Sequence, residues 1–462
     1  MGNPKSLSAL DRTFLAGETR ETMMHVGALM IFTPPTQGAA ESHRRLMDEL
    51  RLRWAVHAPW NMKLRHPEIL TSPVQSWVED DRLDFHYHVR RSALPSPGDE
   101  RELGILVSRL HSTPIDFHRP LWETHLIEGL EGGRFAIYVK VHHSLVDGFT
   151  GTRLLTRALT EDPGERDTPM FFSRAPDERA REHEHVPALE SLLHGMREQA
   201  GTSRDVGRAL LRLARASREH DPNLVLPMQA PRSVLNAKIT RSRRFATQQY
   251  ALDRLKLVAK RYGGTLNDVV LGICGSSLRR FLHDQGALPE QSLTAMIPVN
   301  VRPKDDVSGG NAVGSVLAVL ATDVEDPAER MRRIVASTTR AKEQLQGLSK
   351  NAMMQYSALL LAPLLLSFVP GAIGLMRPAF NVVVSNVPGP ERPLYFRGWR
   401  LDAVYPLSIP FNGYALNITV QSYAGTLNFG FIGCREALPH LQRLAVYAGE
   451  ALAEIERASP AP

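Results

Sequence analysis

The sequence predicts a two-domain protein of mixed α/β or α+β class, with a cleft between its halves. Three observations lead there. At 462 residues the chain is longer than one ordinary hydrophobic core organises. Its composition, 43% apolar and 23% charged, is that of a globular rather than a disordered chain. Strand-like and helix-like runs alternate in both halves and are separated by a charged, strand-poor stretch. These shifts divide the chain into an N-terminal domain at 1–175, a helical and charged connector at 176–235 and a C-terminal domain at 236–462.

In the first half the clearest strands are Gly27 to Phe32 and Arg134 to Val141, short runs rich in β-branched and aromatic residues. The connector carries an amphipathic rhythm at Leu210 to Ala216 but no strong strand signal. Helices are then expected at Leu252 to Arg261 and at Asp268 to Leu282, the second entered through Thr265-Leu266-Asn267-Asp268. Strands follow at Leu293 to Val301, Ser315 to Ala321, Asn381 to Asn386, Leu416 to Ser422 and Thr426 to Gly433, the last two joined by a hairpin turn at Tyr423-Ala424-Gly425. Ala358 to Met376 is leucine-rich and approaches the length of a membrane span. Pro363, Pro370, Gly371 and Gly374 interrupt it, which favours two short apolar helices, as buried core or as the wall of a lipid pocket.

The most informative motif is His142-His143-Ser144-Leu145-Val146-Asp147-Gly148, directly after the strand-like run Phe135 to Val141. An imidazole on a tight turn, with a near-neutral pKa, can take a proton from a hydroxyl, and a carboxylate four residues on can fix its orientation. The bland alternative is a paired-histidine turn in which Asp147 caps the next helix. No His-Glu-x-x-His pair is present and the other histidines are scattered, so no metal site is expected. A Gly-x-Ser-x-Gly elbow and a phosphate-binding glycine loop are missing too, because Gly309-Gly310-Asn311 lacks the lysine and the spacing. Cys274 and Cys434 lie in apolar, glycine-containing surroundings that suit buried, inert thiols. What remains is a base that activates a hydroxyl or amine of a substrate, with no cofactor and no covalent intermediate.

The net charge of +6 is modest and carried largely by arginines, with a cluster at Arg241-Ser242-Arg243-Arg244. Such a cluster suits an anionic lipid surface or a polyphosphate-bearing cofactor; no nucleic-acid-binding module accompanies it. Two cysteines fit a reducing cytosol. Met1-Gly2-Asn3-Pro4-Lys5-Ser6 has no secretory apolar core and matches only the loose myristoylation pattern.

The motif has company along the chain. Leu7-Ser8-Ala9-Leu10-Asp11 through Phe14-Leu15, Met24-His25-Val26-Gly27, His88-Val89-Arg90-Arg91 and Arg119-Pro120-Leu121-Trp122-Glu123 precede it. Leu266-Asn267-Asp268-Val269, Ile297-Pro298-Val299-Asn300-Val301-Arg302 and Ser385-Asn386-Val387-Pro388-Gly389-Pro390 follow. In this order the segments resemble the bacterial wax ester synthase/acyl-CoA:diacylglycerol acyltransferase family, and more distantly the chloramphenicol acetyltransferase-like superfamily. The Asp-Phe-Gly-Trp-Gly loop common in that superfamily is absent, which argues against plant-type acyltransferases and, less strongly, peptide-synthetase condensation domains.

The resemblance implies two chloramphenicol acetyltransferase-like domains with a central tunnel between them and the histidine motif at its midpoint. It implies an O-acyltransferase that moves a long-chain acyl group from acyl-CoA, as a substrate rather than a cofactor, to a fatty alcohol or a diacylglycerol. Another alcohol or an amine as acceptor, or a lipid-binding role without catalysis, are the alternatives. His143 would be the base, Asp147 would hold the turn, and His142 would be a neighbour that helps with hydrogen bonds. Asn267 is the candidate for a polar group near the reacting carbonyl, or else the N-cap of its helix. Candidate substrate-contacting residues are Gly148 in the motif, Leu121 and Trp122 near the acyl path, Tyr356 and Leu360 in the leucine-rich stretch, and Ser385 with Asn386. For Trp122 core packing is the competing role. The expected setting is the cytoplasm, at the surface of the inner membrane or of lipid inclusions.

Overall fold

Two six-stranded mixed sheets organise the molecule. The computed structural model describes residues 5–35, 45–46, 48–49, 52, 54–146, 148–174, 225, 228–300, 313–345, 353 and 377–460. Strands numbered in chain order are β1 (Lys5–Ser6), β2 (His25–Thr33), β3 (Met62–Leu64), β4 (Ser76–Glu79), β5 (Val89–Ala93), β6 (Trp122–Glu128), β7 (Phe135–His142), β8 (Arg243–Ala251), β9 (Thr294–Asn300), β10 (Val313–Val319), β11 (Val382–Val387), β12 (Tyr395–Phe396), β13 (Trp399–Leu407), β14 (Leu416–Tyr423) and β15 (Thr426–Cys434). Helices are α1 (Ala9–Gly17), α2 (Phe85–His88), α3 (Glu100–His111), α4 (Gly148–Thr156), α5 (Leu252–Arg261), α6 (Leu266–Asp284), α7 (Pro327–Leu345) and α8 (Arg443–Ala458).

The first sheet has the order β12-β13-β2-β7-β6-β5 and the second β10-β9-β11-β14-β15-β8, with β1-β4-β3 as a small third sheet. The mixed α/β class is as expected, and so are both helices and all five strands read in the second half. The hairpin between β14 and β15 turns through Ala424 and Gly425, at φ of 44° and 83°, the pair of positive angles that matches strand twist.

Among the strands not read from the sequence, which include β8 and β12, β13 departs furthest from the two-domain division. It lies within 236–462, yet it pairs with β2, from Arg400 opposite Thr33 to Leu407 opposite Gly27, and so completes the sheet of the first half. Gly430 on β15 marks where the sheets approach, because a β-carbon there would collide with the carbonyl of Pro406 on β13. A second seam joins α3 to β8. Ser108 Oγ accepts the Phe245 backbone N–H at 2.9 Å and Ser112 Oγ accepts that of Arg243 at 2.8 Å.

Helix α6 begins at Thr265, which exchanges capping hydrogen bonds with Asp268. The cap is therefore Thr265, and Asn267 occupies the second helical position, partly buried. Cys274 on α6 and Cys434 on β15 are both free and buried, and burial pushes the Cys274 thiol up to about 12. Most of the connector and the leucine-rich stretch, including Tyr356 and Leu360, lie outside the described residues. Among the described residues no helix is long and apolar enough to cross a membrane.

Candidate active site

Strand β7 is buried along its whole length, so its alternation separates two interiors rather than core from water. Phe135, Ile137, Val139 and Val141 enter one apolar cluster, together with Trp122 and Leu126 of β6 and Phe32 of β2. Ala136 and Tyr138 enter another, with Ile127 of β6 and Leu29 and Ile31 of β2. The second face continues toward the C-terminal end of β7 as Lys140 and His142, where it changes from apolar to polar. His25 stands directly opposite His142, and Glu123 opposite Lys140.

The turn after β7 divides the two histidines. His142 is 1% exposed, with Nδ1 hydrogen-bonded and Nε2 facing a carboxylate. Nδ1 accepts the Ser144 backbone N–H at 3.2 Å and lies 2.6 Å from Ser144 Oγ. That assigns the imidazole proton to Nε2, 3.4 Å from Glu18 Oε2. His143, by contrast, is only partly buried. Its backbone N–H donates to Met24 O at 2.8 Å and its ring stacks on Phe14 of α1 at 4.1 Å, with 22° between the planes. The reachable imidazole is thus His143. Asp147, expected to hold this turn, is outside the described residues, and Gly148 is the first residue of α4.

Glu18 was not legible as a site residue. It caps the C-terminus of α1, and its Oε2 accepts the Met24 backbone N–H at 2.5 Å while facing His142. One carboxylate therefore fixes the segment whose carbonyl receives the His143 N–H. Glu18→Ala is expected to lower turnover about tenfold or more by loosening this brace, and to cost about 1–3 kcal/mol by leaving Met24 N–H unpaired. Glu18→Gln keeps an acceptor for that N–H and should recover most of the stability, as read by thermal unfolding beside the initial rate.

Beneath the turn lies a buried polar layer. Lys140 Nζ meets Glu123 Oε2 at 3.1 Å and donates to Thr113 O at 2.9 Å and Leu110 O at 3.2 Å, the carbonyls where α3 ends. Arg90 approaches Glu123 Oε1 at 3.5 Å and His125 Nε2 approaches Oε2 at 3.7 Å. Burial pushes the Glu123 carboxyl up, but His125, Lys140 and Arg90 together outweigh it and hold the group at about 2. His25 Nε2 donates to His111 O at 2.9 Å, and His111 Nδ1 pairs with Tyr138 OH at 2.7 Å. Burial, then the nearness of His111 and of the Lys140 charge, holds His25 well below the usual histidine range, and burial with Lys140 and Arg243 does the same for His111. Both are neutral scaffolding.

The other candidates separate. Leu121 is fully buried beside Leu15 of α1, and its carbonyl accepts the His142 backbone N–H at 2.9 Å, which puts it against the site. Trp122 is also fully buried, but its indole N–H donates to Trp60 O at 2.6 Å and its ring stacks on His88 and Phe172. Trp122 is core. Ser385 and Asn386 lie on β11, beyond the buried Val382 to Val384, where the strand becomes partly exposed.

Two mixed sheets with paired histidines at the end of a buried strand give the chain a chloramphenicol acetyltransferase-like fold. The fold alone is shared with the first condensation domain of the calcium-dependent antibiotic synthetase, at a TM-score of 0.58 and 16% identity over 99% of this chain and 97% of that one. Residues 7–270 match the wax ester synthase/diacylglycerol acyltransferase catalytic domain and 309–456 the C-terminal domain of the same family. A Mycobacterium tuberculosis protein carrying a provisional diacylglycerol O-acyltransferase name is 50% identical over 99% of this chain and 98% of its own length. The O-acyltransferase WSD of Acinetobacter baylyi is 37% identical, covering 96% of each. The solved wax ester synthase/diacylglycerol acyltransferase of Marinobacter aquaeolei superposes with a TM-score of 0.79 at 38% identity, over 98% of this chain and 99% of that one. The chain belongs to the wax ester synthase/diacylglycerol acyltransferase family.

Proposed function

We propose that this chain transfers a long-chain fatty acyl group from acyl-CoA to a fatty alcohol, a diacylglycerol, or both, with His143 as general base. The reading is carried by one observation: in a member of this family the accessible imidazole of the motif is His143, braced at Met24 and stacked on Phe14, while His142 is spent on Ser144 and Glu18.

Neutral His143 takes the proton of the acceptor hydroxyl as that oxygen attacks the thioester carbonyl. The tetrahedral intermediate carries its charge on the former carbonyl oxygen, where one aimed donor is worth about 3 kcal/mol. Asn267 is the side-chain amide assigned to that task. Collapse breaks the carbon–sulfur bond, and the His143 proton passes to the leaving thiolate. Donor, acceptor and one imidazole suffice for this sequence. The acceptors are lipids, so the working place proposed is the cytoplasmic surface of the inner membrane or of lipid inclusions.

Thiol release from palmitoyl-CoA, measured with hexadecanol, with dipalmitoylglycerol and with no acceptor, tests the reading. Release that depends on an acceptor, with the matching ester formed, is expected. Release with amines alone, or none with any hydroxyl acceptor, would overturn it.

A further inference from the structure

Between the C-terminal end of α3 and the start of β8 lies a cavity of about 510 Å³, lined by Arg109, Arg241, Arg243, Arg244, Arg435 and Ser112 among others. The sequence places only three of these arginines together. Arg109 arrives from α3, and Arg435 follows β15, its backbone N–H donating to Ser242 O at 2.9 Å. Among the described residues no carboxylate forms an ion pair with any of the five. The carboxylate of Glu436, at the rim, instead accepts a hydrogen bond from Ser242 Oγ at 3.3 Å. Arg244 Nε is buried without a hydrogen-bond partner among the described residues. Arg243 is 3% exposed and fixed, donating to Glu21 O at 2.6 Å and to Thr240 O, whereas Arg109, Arg241 and Arg435 are exposed. Five guanidinium groups gathered without a direct ion pair among the described residues focus a positive field into the cavity. The bidentate geometry of guanidinium makes a phosphate the matching anion.

We propose that this cavity holds the nucleotide phosphates of the acyl-CoA donor. The inference rests on the acyl-CoA reading above and adds where the donor is gripped. The cavity is one side-chain layer from the histidine turn. Its Ser112 follows His111, whose carbonyl receives His25 Nε2, and His25 is the cross-strand partner of His142. Thr113, also on its wall, receives Lys140 Nζ, and Arg243 is tied to Glu21, three residues past the Glu18 that faces His142. Phosphates held here stay in water while the pantetheine arm carries the thioester inward. A phospholipid headgroup offers the same phosphate chemistry but brings a bilayer with it. The large exposed apolar side chains among the described residues, Leu52, Ile69, Val74, Leu257 and Val446, are all absent from the cavity lining.

The test uses the full chain and the double variant Arg241→Gln/Arg244→Gln. Adenosine 3′,5′-bisphosphate is titrated by calorimetry, and the same probe is added to the palmitoyl-CoA assay. Binding to the unmodified protein, competition with palmitoyl-CoA, and an affinity at least about tenfold weaker in the variant are expected. Arg244→Lys, which keeps the charge and loses the fork, should fall between the two, and it replaces the double variant should that one fail to fold. No binding of the bisphosphate to the unmodified protein, or equal binding by the variants, overturns the proposal. Loss of co-sedimentation with phosphatidylglycerol vesicles while bisphosphate binding is unchanged also overturns it, and assigns the arginines to a lipid surface. Bisphosphate binding that depends on the arginines, in a protein that releases no thiol from palmitoyl-CoA, would instead uphold the anion site and sink the acyltransferase reading.

Discussion

Replacing His143 by alanine is expected to lower turnover of palmitoyl-CoA with hexadecanol by a factor of about 10²–10⁴, the usual worth of a positioned base. The fold should survive, because alanine keeps the backbone N–H that donates to Met24 O and loses only a partly exposed ring stacked on Phe14. A loss near 1 kcal/mol moves the melting temperature of a chain of this size by only a few degrees, about 2–4 °C or less. His142→Ala is expected to behave in the opposite way. It removes a 1% exposed ring from between Ser144 and Glu18, so both activity and stability should fall. Calorimetric scans beside initial rates distinguish the two. An unfolded His143→Ala, or one with full activity, would remove His143 from the chemistry.

How much of this was readable in advance depends on how local each signal is. Strand β7 was legible because its β-branched and aromatic run needs no partner to be recognised, and the turn after it because glycine and aspartate punctuate it. Helix α5 was legible to the residue. Strand β13 was not, because a stretch such as Trp399-Arg400-Leu401-Asp402 alternates like many loops, and its partner β2 lies in the other half of the chain. Glu18 carries no motif. Its role exists only because α1 ends where Met24 and His142 meet. The arginine cavity was half legible, since Arg241, Arg243 and Arg244 are neighbours in sequence while Arg109 and Arg435 join them only through the α3–β8 and β15–β8 seams. Trp122 shows how packing decides between two readings of one residue. Sequence offers it both a place near the acyl path and a place in the core, and its indole N–H is satisfied by Trp60 inside the core.

Lys140→Met is expected to be the most damaging change outside the chemistry. The methionine side chain fills similar space, so the effect isolates charge rather than volume. Glu123, 2% exposed, would lose its 3.1 Å partner and keep Arg90 at 3.5 Å, His125 at 3.7 Å and the Tyr87 hydroxyl at 3.4 Å. Removing one member of a buried ion pair costs about 3–5 kcal/mol, because the other charge stays behind in a poor dielectric. The carbonyls of Leu110 and Thr113 lose their donor at the same time, and these shape the end of α3 under His25 and the histidine turn. Turnover should therefore fall together with stability. Glu123→Gln/Lys140→Met, which removes both charges, should recover much of the loss if the buried charge is its cause. The pH dependence has a fixed sign. Glu123 titrates near 2 in the folded protein and near its ordinary 4.5 when unfolded. Its contribution is complete above the unfolded value and disappears as the pH falls from about 4.5 toward 2. Chemical unfolding followed at several pH values should show this acid-side loss in the unmodified protein and a smaller one in the double variant. An unchanged slope would mean that the Glu123–Lys140 pair does not carry the acid sensitivity of the fold.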